Sequence, residues 1–405
     1  MHALTLGLLA LQAASAVLGK PVPQADPGAE DAAQGIEQLT ALAQTAYEKS
    51  EELINNGEIQ KRGSSCSLAN LKIRREWGTL SKQERLDYTK AVRCLQSKPA
   101  RTPSEIIPGA KTRFDDFVGT HINQTFNIHY TGNFLSWHRY FTWLYEEALR
   151  DECGYKGTQP YWDWTKTAVT GLEKSPIFDG SETSMSGDGE SIPNKGDLIL
   201  TGFDGVENRL PTGNGGGCVK SGPFKDMSVN LGPIALSIPG GGSEANPEGM
   251  FAYNPRCLKR DLTTAINRRY ANATAVLHNI LVPKNVEDFQ WEMQGGSTGL
   301  GIHGGGHYSF GGDPARDFFT SPGDPVFYLH HAQIDRVWWM WQMLSPKERQ
   351  FTDHAVSGYN NFMNQPPSPA TTRDDYLDYG YAAGPALKIG DALSTVSGPF
   401  CYLYL

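Results

Sequence analysis

The chain has no excess of positive charge and only one long apolar run. Lys and Arg number 36 against 44 Asp and Glu, which gives a formal net charge of −8. We therefore expect no surface that attracts nucleic acid or an anionic membrane. The apolar run from Ala3 to Val17 is too short to cross a bilayer. No other segment is long and apolar enough to do so, so a membrane protein is not expected.

Disorder is also excluded, because 39% of the residues are hydrophobic and 11% are aromatic. The 405 residues are enough for a large core, in one domain or two. The 44 glycines and 25 prolines exceed the usual share and predict long irregular connections. The stretch 165–255 is rich in Gly, Ser, Asn and Pro, and we interpret it as surface loops of a single domain.

The N-terminus has the pattern of a secretory signal peptide over residues 1–19. Its short apolar run ends in the small residues Ala14-Ser15-Ala16, which resemble a cleavage site. The alternative is a buried N-terminal helix. We therefore expect secretion to the extracellular space.

The segment 20–62 carries more acidic than basic residues and ends in the pair Lys61-Arg62. Its apolar residues have helical spacing, as Ile36, Leu39, Ala43 and Tyr47 show. We predict an acidic pro-segment that is cleaved at the basic pair and leaves a catalytic domain of residues 63–405. The alternative is an ordinary helix that ends in a solvated pair.

Six cysteines in a secreted chain predict up to three disulfides, and the sequence does not choose their pairing. They are Cys66, Cys94, Cys153, Cys218, Cys257 and Cys401. The sequons at Asn123 and Asn272 predict a glycoprotein.

Three helices are predicted from apolar spacing and end signals. Ser81–Cys94 begins with a capping pair, in which Glu84 follows Ser81 by three residues. The others cover about Leu135–Cys153 and Pro325–Leu344, the last with Asp324 as its cap. The predicted class is mainly α, with long irregular loops and little β structure.

Two clusters of histidine indicate where the chemistry lies. Ten histidines occur in the whole chain. Neutral imidazole is the commonest metal ligand in proteins. Six of them form two groups of three: His121, His129 and His138, and His303, His307 and His331.

The second cluster leaves two points open. His303 and His307 stand one helical turn apart, but Gly304 occupies the place where zinc proteases carry a glutamate base, which disfavours that class. His330 and His331 are adjacent, and spacing alone does not say which of them faces a metal. Asp335, four residues after His331, is a candidate to hold that turn through a hydrogen bond.

No Cys, Asp or Glu occurs at ligand spacing beside either cluster, which disfavours non-haem iron oxygenases and two-zinc hydrolases. Neutral nitrogen ligands alone favour a metal that cycles between +1 and +2, which is copper. Ligands from separate segments converge when helices pack around one centre. We therefore predict a four-helix bundle core that holds two copper ions.

The chain resembles the type 3 copper proteins, specifically the short secreted fungal tyrosinases and catechol oxidases. The matching segments are His121 to Arg139, Pro160 to Trp164, His303 to Gly312 and Asp324 to Trp338, together with the region from Arg74 to Leu95 and the ending Tyr402-Leu403-Tyr404. Longer relatives continue after that ending into a C-terminal lid domain. The resemblance implies that no such lid is expected here.

The same resemblance implies a ligand set. His121, His129 and His138 would bind one copper, and His303, His307 and His331 would bind the other. His330 would be their neighbour. Phe318, Phe319 and Thr320 lie in the stretch that gates the second copper in the family.

Two departures from the family pattern bear on the reaction. Asn127 stands where some relatives carry a cysteine that is cross-linked to a ligand histidine. Gln294 and Gly304 stand where relatives that hydroxylate monophenols carry Glu and Asn. The expected reaction is therefore oxidation of o-diphenols to o-quinones, with O₂ reduced to water. The alternatives are monophenol hydroxylation or o-aminophenol oxidation at the same site, and reversible O₂ carriage as in haemocyanins.

Overall fold

Helices dominate the computed structural model, which describes residues 29–298 and 300–405. The predicted signal peptide lies outside the described residues. The α-helices of the described part are α1 Ala29–Asn55, α2 Lys82–Ser97, α3 Arg113–Ile128, α4 Phe134–Cys153, α5 Trp164–Thr170, α6 Thr264–Tyr270, α7 Ala273–Leu281, α8 Val286–Gln294, α9 Ile302–Phe310, α10 Val326–Met343 and α11 Pro346–Phe351.

The strands are short and pair only in twos, so the prediction of little β structure is confirmed. They are β1 Lys72–Arg74, β2 Gly189–Ser191, β3 Leu198–Thr201, β4 Glu207–Leu210, β5 Gly216–Val219, β6 Ser228–Val229, β7 Leu236–Ser237, β8 Ser243–Glu244, β9 Arg256–Cys257, β10 Tyr376–Leu377, β11 Leu387–Lys388 and β12 Tyr402–Tyr404. β1 pairs with β12 in parallel, and the other five pairs are antiparallel. The predicted loop stretch 165–255 holds seven of these twelve strands, β2 to β8.

Helix ends follow the capping chemistry in the sequence. Ser81 and Glu84 form the predicted capping box of α2. Asp324 accepts the backbone N–H of Val326 at 2.9 Å, which secures the start of α10. A second capping box, Thr112 with Asp115, begins α3. α3 is not among the helices predicted from the sequence, although this pair is a clear start signal.

Four helices form the predicted bundle around the histidine clusters. α3 and α4 carry the first cluster, and α9 and α10 carry the second. Every residue of α10 is buried, which marks it as the central helix. In the part of the chain that the structure describes, no helix combines the length and apolarity that a bilayer crossing requires.

Asp335 ties α10 to the rest of the core, and the expectation that it holds the turn of His331 is wrong. Its carboxylate contacts four other side chains: Arg74, Arg139, Tyr402 and Tyr404. These come from β1, α4 and β12, so one buried anion joins the two ends of the domain to the bundle. A buried carboxylate is stable here because two guanidinium groups and two hydroxyls surround it.

The helix predicted in the acidic segment forms as α1 and packs against the body of the domain. Leu39 and Ala46 are buried in the main core. The indole N–H of Trp339 on α10 donates to the hydroxyl of Ser50 at 3.0 Å. The pair Lys61-Arg62 follows in an exposed single turn. Cleavage at that pair stays a prediction, but α1 packs into the core as part of the fold.

The cysteines form three disulfides, as predicted: Cys66–Cys401, Cys94–Cys153 and Cys218–Cys257. The first of them closes a loop of 335 residues and joins β12 to the chain just before β1.

The two sequons differ in their surroundings. Asn123 is exposed on α3. Asn272 is only 3% exposed, and its side chain caps α7 by accepting the backbone N–H of Ala275. The glycosylation expected at Asn272 does not fit this buried cap, because a glycan there would displace the core. Glycosylation at Asn123 stays a prediction.

Loss of the Cys66–Cys401 disulfide is expected to destabilise the fold more than loss of the Cys218–Cys257 disulfide, which closes a shorter loop. The paired serine variant of Cys66 and Cys401 should lose about 2 kcal/mol more in free energy of unfolding than the paired serine variant of Cys218 and Cys257, since the loops span 335 and 39 residues. Reversible denaturant unfolding without reductant measures both. Equal losses would contradict the loop-entropy explanation.

After proteolytic cleavage at Lys61-Arg62, α1 is expected to stay bound to the domain. Its buried apolar side chains, such as Leu39 and Ile54, contribute about 1.5–3 kcal/mol each. Native size-exclusion chromatography followed by denaturing electrophoresis should show both pieces in one peak. The Ala46→Glu variant, which places a charge in the interface, should release the helix. Release of the unmodified helix under native conditions would refute the prediction.

Candidate metal centre

The first histidine cluster is held by backbone carbonyl groups. His121 lies on α3, His129 is the residue that ends α3, and His138 lies on α4. The Nδ1 atom of each ring donates to a carbonyl oxygen: His121 to Phe319 at 2.8 Å, His129 to Thr125 at 2.9 Å and His138 to Phe134 at 2.8 Å. Such bonds place the proton on Nδ1 and leave the lone pair on Nε2 free, which is the usual arrangement of a ligand histidine.

The free nitrogens of this cluster face one another. One ring nitrogen from each of the three residues lies within 4.8 Å of the others. The Nε2 atoms of His121 and His138 are buried and have no hydrogen-bond partner among the described residues. A buried polar atom without a partner is costly. A metal ion bound by these lone pairs would remove that cost.

The second cluster joins α9 and α10. His303 and His307 lie one turn apart on α9, and His331 lies on α10. The Nε2 atoms of His307 and His331 are 3.3 Å apart, and the Nε2 atom of His303 is buried without a partner in the described chain. Convergence of three such nitrogens fits a second metal ion.

His330 belongs to the same group by distance but differs in its hydrogen bonding. The indole N–H of Trp164 donates to Nδ1 of His330 at 3.1 Å. In a neutral ring the proton then lies on Nε2, so neither nitrogen has a lone pair to offer a metal. This hydrogen bond favours His331 as the ligand and His330 as its neighbour, as the family resemblance implies.

Two of the three glycines between His303 and His307 are required by close packing. A Cβ atom on Gly306 would lie 2.2 Å from the ring of His330, and one on Gly305 would lie 2.5 Å from Tyr270. The weak helix propensity of this segment is therefore offset by packing against α6 and α10.

The two clusters adjoin each other. The rings of His138 and His331 stack with centroids 4.5 Å apart, and those of His129 and His303 are 5.9 Å apart. Both groups consist of histidine alone in the described part of the chain. The residues present therefore fit two ions held side by side by neutral nitrogen ligands.

Burial keeps these rings neutral. It lowers the pKa of His129 to about 4 and that of His307 to about 3. Burial also lowers the pKa of His121, His138, His303 and His331 well below the ordinary histidine value. Neutral imidazole is the form that binds a metal, so the site is prepared for binding at neutral pH.

A cavity of about 500 Å³ leads to the clusters. His129, His303 and His307 line it, together with Gly304 and Gln294. Its aromatic lining comes from separate loops: Tyr130, Phe203, Phe318 and Phe362. The cavity gives a planar aromatic molecule a route to the histidines.

The three residues of the gate stretch have different roles. Phe318 lines the cavity, and its ring centroid lies 4.6 Å from that of His129. Phe319 is 9% exposed and supplies the carbonyl that accepts from His121. Thr320 is fully buried. Of the three residues, only Phe318 is therefore placed to gate the cavity. It contacts His129 of the first cluster.

Gln294 is fixed in place by its own hydrogen bonds. Its Oε1 accepts the backbone N–H of Tyr130 at 2.7 Å, and its Nε2 donates to the carbonyl of Gln290 at 3.1 Å. Tyr130 has a φ of 51° and directly follows His129. The amide thus supports the backbone next to a candidate ligand and supplies no carboxylate to the cavity.

Several residues of the cavity were missed by sequence reasoning. Phe203 lies between β3 and β4, Phe362 lies in a turn after α11, and Arg316 lies between α9 and α10. None of them stands in a motif or a periodic pattern. Their common position depends on how distant loops pack, which the sequence does not display.

Comparison with known proteins agrees with this geometry. The common central domain of tyrosinase matches residues 111–344, which include all six candidate ligands. A tyrosinase P of Aspergillus terreus is 41% identical over 336 residues, or 82% of this chain and 91% of the relative. An N-acetyl-6-hydroxytryptophan oxidase of Emericella nidulans is 41% identical over 353 residues, or 84% of this chain and 93% of the relative.

A solved structure shares the fold. A glycine-to-asparagine variant of a polyphenol oxidase from Thermothelomyces thermophila superposes with a TM-score of 0.82 at 45% identity, and the match covers 95% of this chain and 99% of that one. The family implies a binuclear copper site, and the paired histidine clusters described above fit such a site. The chain therefore belongs to the tyrosinase family of copper oxidoreductases.

Proposed function

We propose that the protein oxidises o-diphenols to o-quinones and reduces O₂ to water at a pair of copper ions. His121, His129 and His138 would hold one ion, and His303, His307 and His331 the other. The supporting observation is that two groups composed only of histidine adjoin each other, with free ring nitrogens converging within each group. Copper supplies the exchange of electrons between the diphenol and O₂.

The protein's own residues orient and protect this centre. Backbone carbonyls hold the Nδ1 atoms of the first cluster and so keep each ring from turning. All six proposed ligands are neutral imidazoles, so they would leave the positive charge of a bound metal uncancelled and able to attract a phenolate oxygen. The aromatic cavity wall would contact the flat face of the substrate, with Phe318 beside His129.

We prefer diphenol oxidation to monophenol hydroxylation because neither Gln294 nor Gly304 offers a carboxylate base beside the second cluster. Gln294 is an amide whose oxygen already accepts the N–H of Tyr130, and Gly304 has no side chain. Oxidation of an o-diphenol depends less on a protein base than hydroxylation of a monophenol, in which an oxygen atom must also be added to the ring. The open cavity of about 500 Å³ supports turnover of a substrate over reversible carriage of O₂.

We also propose that the protein is secreted. Three disulfides in the described chain are typical of an oxidising compartment. The signal peptide predicted for residues 1–19 would supply the route.

The purified protein is expected to hold about two copper ions per chain, and His331→Ala to hold about one and to lose catechol oxidation. Elemental analysis and oxygen uptake measure the two quantities. His354→Ala is the control, since that side chain is 83% exposed and belongs to neither cluster. Zinc in place of copper in the purified active protein would refute the assignment.

The unmodified enzyme is expected to take up oxygen about 100-fold faster with 4-methylcatechol than with 4-methylphenol, since base catalysis contributes that much or more. The double variant Gln294→Glu with Gly304→Asn should narrow this ratio by about tenfold or more, because it restores a carboxylate and an amide beside the second cluster.

Gly304→Ala with Gln294→Asn is the matched control, which adds side-chain atoms at 304 but no carboxylate. Equal initial rates with both substrates in the unmodified enzyme, without a lag, would mean that the protein is a monophenol hydroxylase. Reversible O₂ binding without turnover of catechol would mean that it is an oxygen carrier.

A further inference from the structure

Arg316 is the one Lys or Arg side chain among the described residues that line the cavity, and the carboxylate residue Asp317 lines it too. Arg316 lies on the segment between α9 and α10 and lines the cavity with His303 and His307. Its side chain is 9% exposed. A cavity of about 500 Å³ falls in the range that holds ligands much larger than one phenol ring, about 300–1,000 Å³. There is room for a substituted diphenol that reaches this cation.

Asp261 is the carboxylate that faces Arg316, and its shorter contact is with Lys195. Oδ1 of Asp261 lies 2.6 Å from the ammonium of Lys195, whereas its Oδ2 lies 3.5 Å from Nη1 of Arg316. One anion is therefore shared by two buried cations, and the shorter contact goes to Lys195. The charge of Arg316 is only partly compensated.

The two other carboxylates nearby have partners of their own. Asp313 forms contacts of 2.6 and 2.7 Å with Arg256. Asp317 accepts the backbone N–H groups of Ile234, Ala235 and Phe319. Asp313 and Asp317 are thus directed toward groups other than Arg316, and of the three carboxylates only Asp261 contacts it.

The guanidinium group of Arg316 has N–H donors that are available to a ligand. Its Nε donates to the carbonyl of Ser237 at 2.8 Å, which orients the planar group. Nη2 has no hydrogen-bond acceptor among the described residues. Burial lowers the pKa of Arg316 even though Asp261 acts to raise it, so protein anions do not fully replace the water that the cation has lost. An anionic ligand would complete its surroundings.

We infer that the substrate is an o-diphenol with a carboxylate on its side arm, which Arg316 binds through its free donors while the diphenol ring faces the histidine clusters. This inference rests on the proposed function. Guanidinium and carboxylate groups form short, charge-assisted hydrogen bonds with matching geometry. Lys195, which does not line the cavity, acts as a positioning residue because it holds Asp261 away from Arg316.

Binding of a compound that cannot be oxidised tests the anion site apart from the reaction. 3-Phenylpropanoate and its neutral amide have no hydroxyl group, and calorimetry on the copper-loaded enzyme measures the affinity of each. The unmodified enzyme is expected to bind the carboxylate about tenfold or more tightly than the amide, as for a hydrogen bond to a charged group. Arg316→Met should remove this preference, and Arg316→Lys should keep part of it.

A substitution of Lys195 provides the matched test. Lys195→Met frees Asp261 to pair with Arg316, so the preference for the carboxylate should fall although the cavity lining is unchanged. Thermal unfolding of each variant shows whether it is folded. An equal preference in the unmodified enzyme and in Arg316→Met would overturn the inference, because the carboxylate would then bind to the metal or elsewhere.

Turnover then separates this inference from the proposed function. The substrates are 3-(3,4-dihydroxyphenyl)propanoate and its methyl ester, and the expected result is a lower KM for the acid that disappears in Arg316→Met, with the KM for the ester unchanged. If neither compound is oxidised but the binding preference holds, the proposed function fails and the anion site stands. A KM that rises equally for both compounds in Arg316→Met would mean a structural role and would refute the inference.

Discussion

A buried imidazole needs a partner for each of its nitrogens, and six buried histidines place that demand on the surrounding structure. Backbone carbonyls occupy Nδ1 in the first cluster, and the Nε2 atoms are left directed at one another. A cation bound by the converging lone pairs would remove the cost of burying them without a partner. Such binding requires α3, α4, α9 and α10 to approach closely, and the chain supplies Gly306 on α9 where a Cβ atom would collide with His330 on α10.

The support around the bundle is polar and equally buried. Asp335 joins α10 to α4 and to the paired strands β1 and β12, through Arg139, Arg74 and two tyrosines. The Cys66–Cys401 disulfide closes the same end of the molecule covalently. A buried anion with four donors cannot move without leaving charges unpaired, so this end is held rigidly behind the metal centre. Separate loops that carry Phe203, Phe318 and Phe362 line the cavity.

Prediction from sequence succeeded where the signal was local. The Ser81–Glu84 box placed the start of α2, and Asp324 placed the start of α10. It failed where the contact was distant. Asp335 was expected to hold His331, four residues away, but it contacts Arg74, which is 261 residues away. Spacing could not choose between His330 and His331, because the hydrogen bond from Trp164 that separates them joins residues 166 apart.

The sequence by itself determined the kind of candidate site. Its clustered residues are histidines without acidic neighbours, so the candidate ligands are neutral nitrogen atoms. It also determined the helical class and the presence of disulfides. Tertiary structure alone decided that the two clusters adjoin, which cysteines pair, that α1 packs into the core, and that Arg316 faces the cavity beside the histidines. The reason is physical: ligand type and capping are properties of a residue and its near neighbours, whereas convergence depends on the packing of helices and loops far apart in the chain.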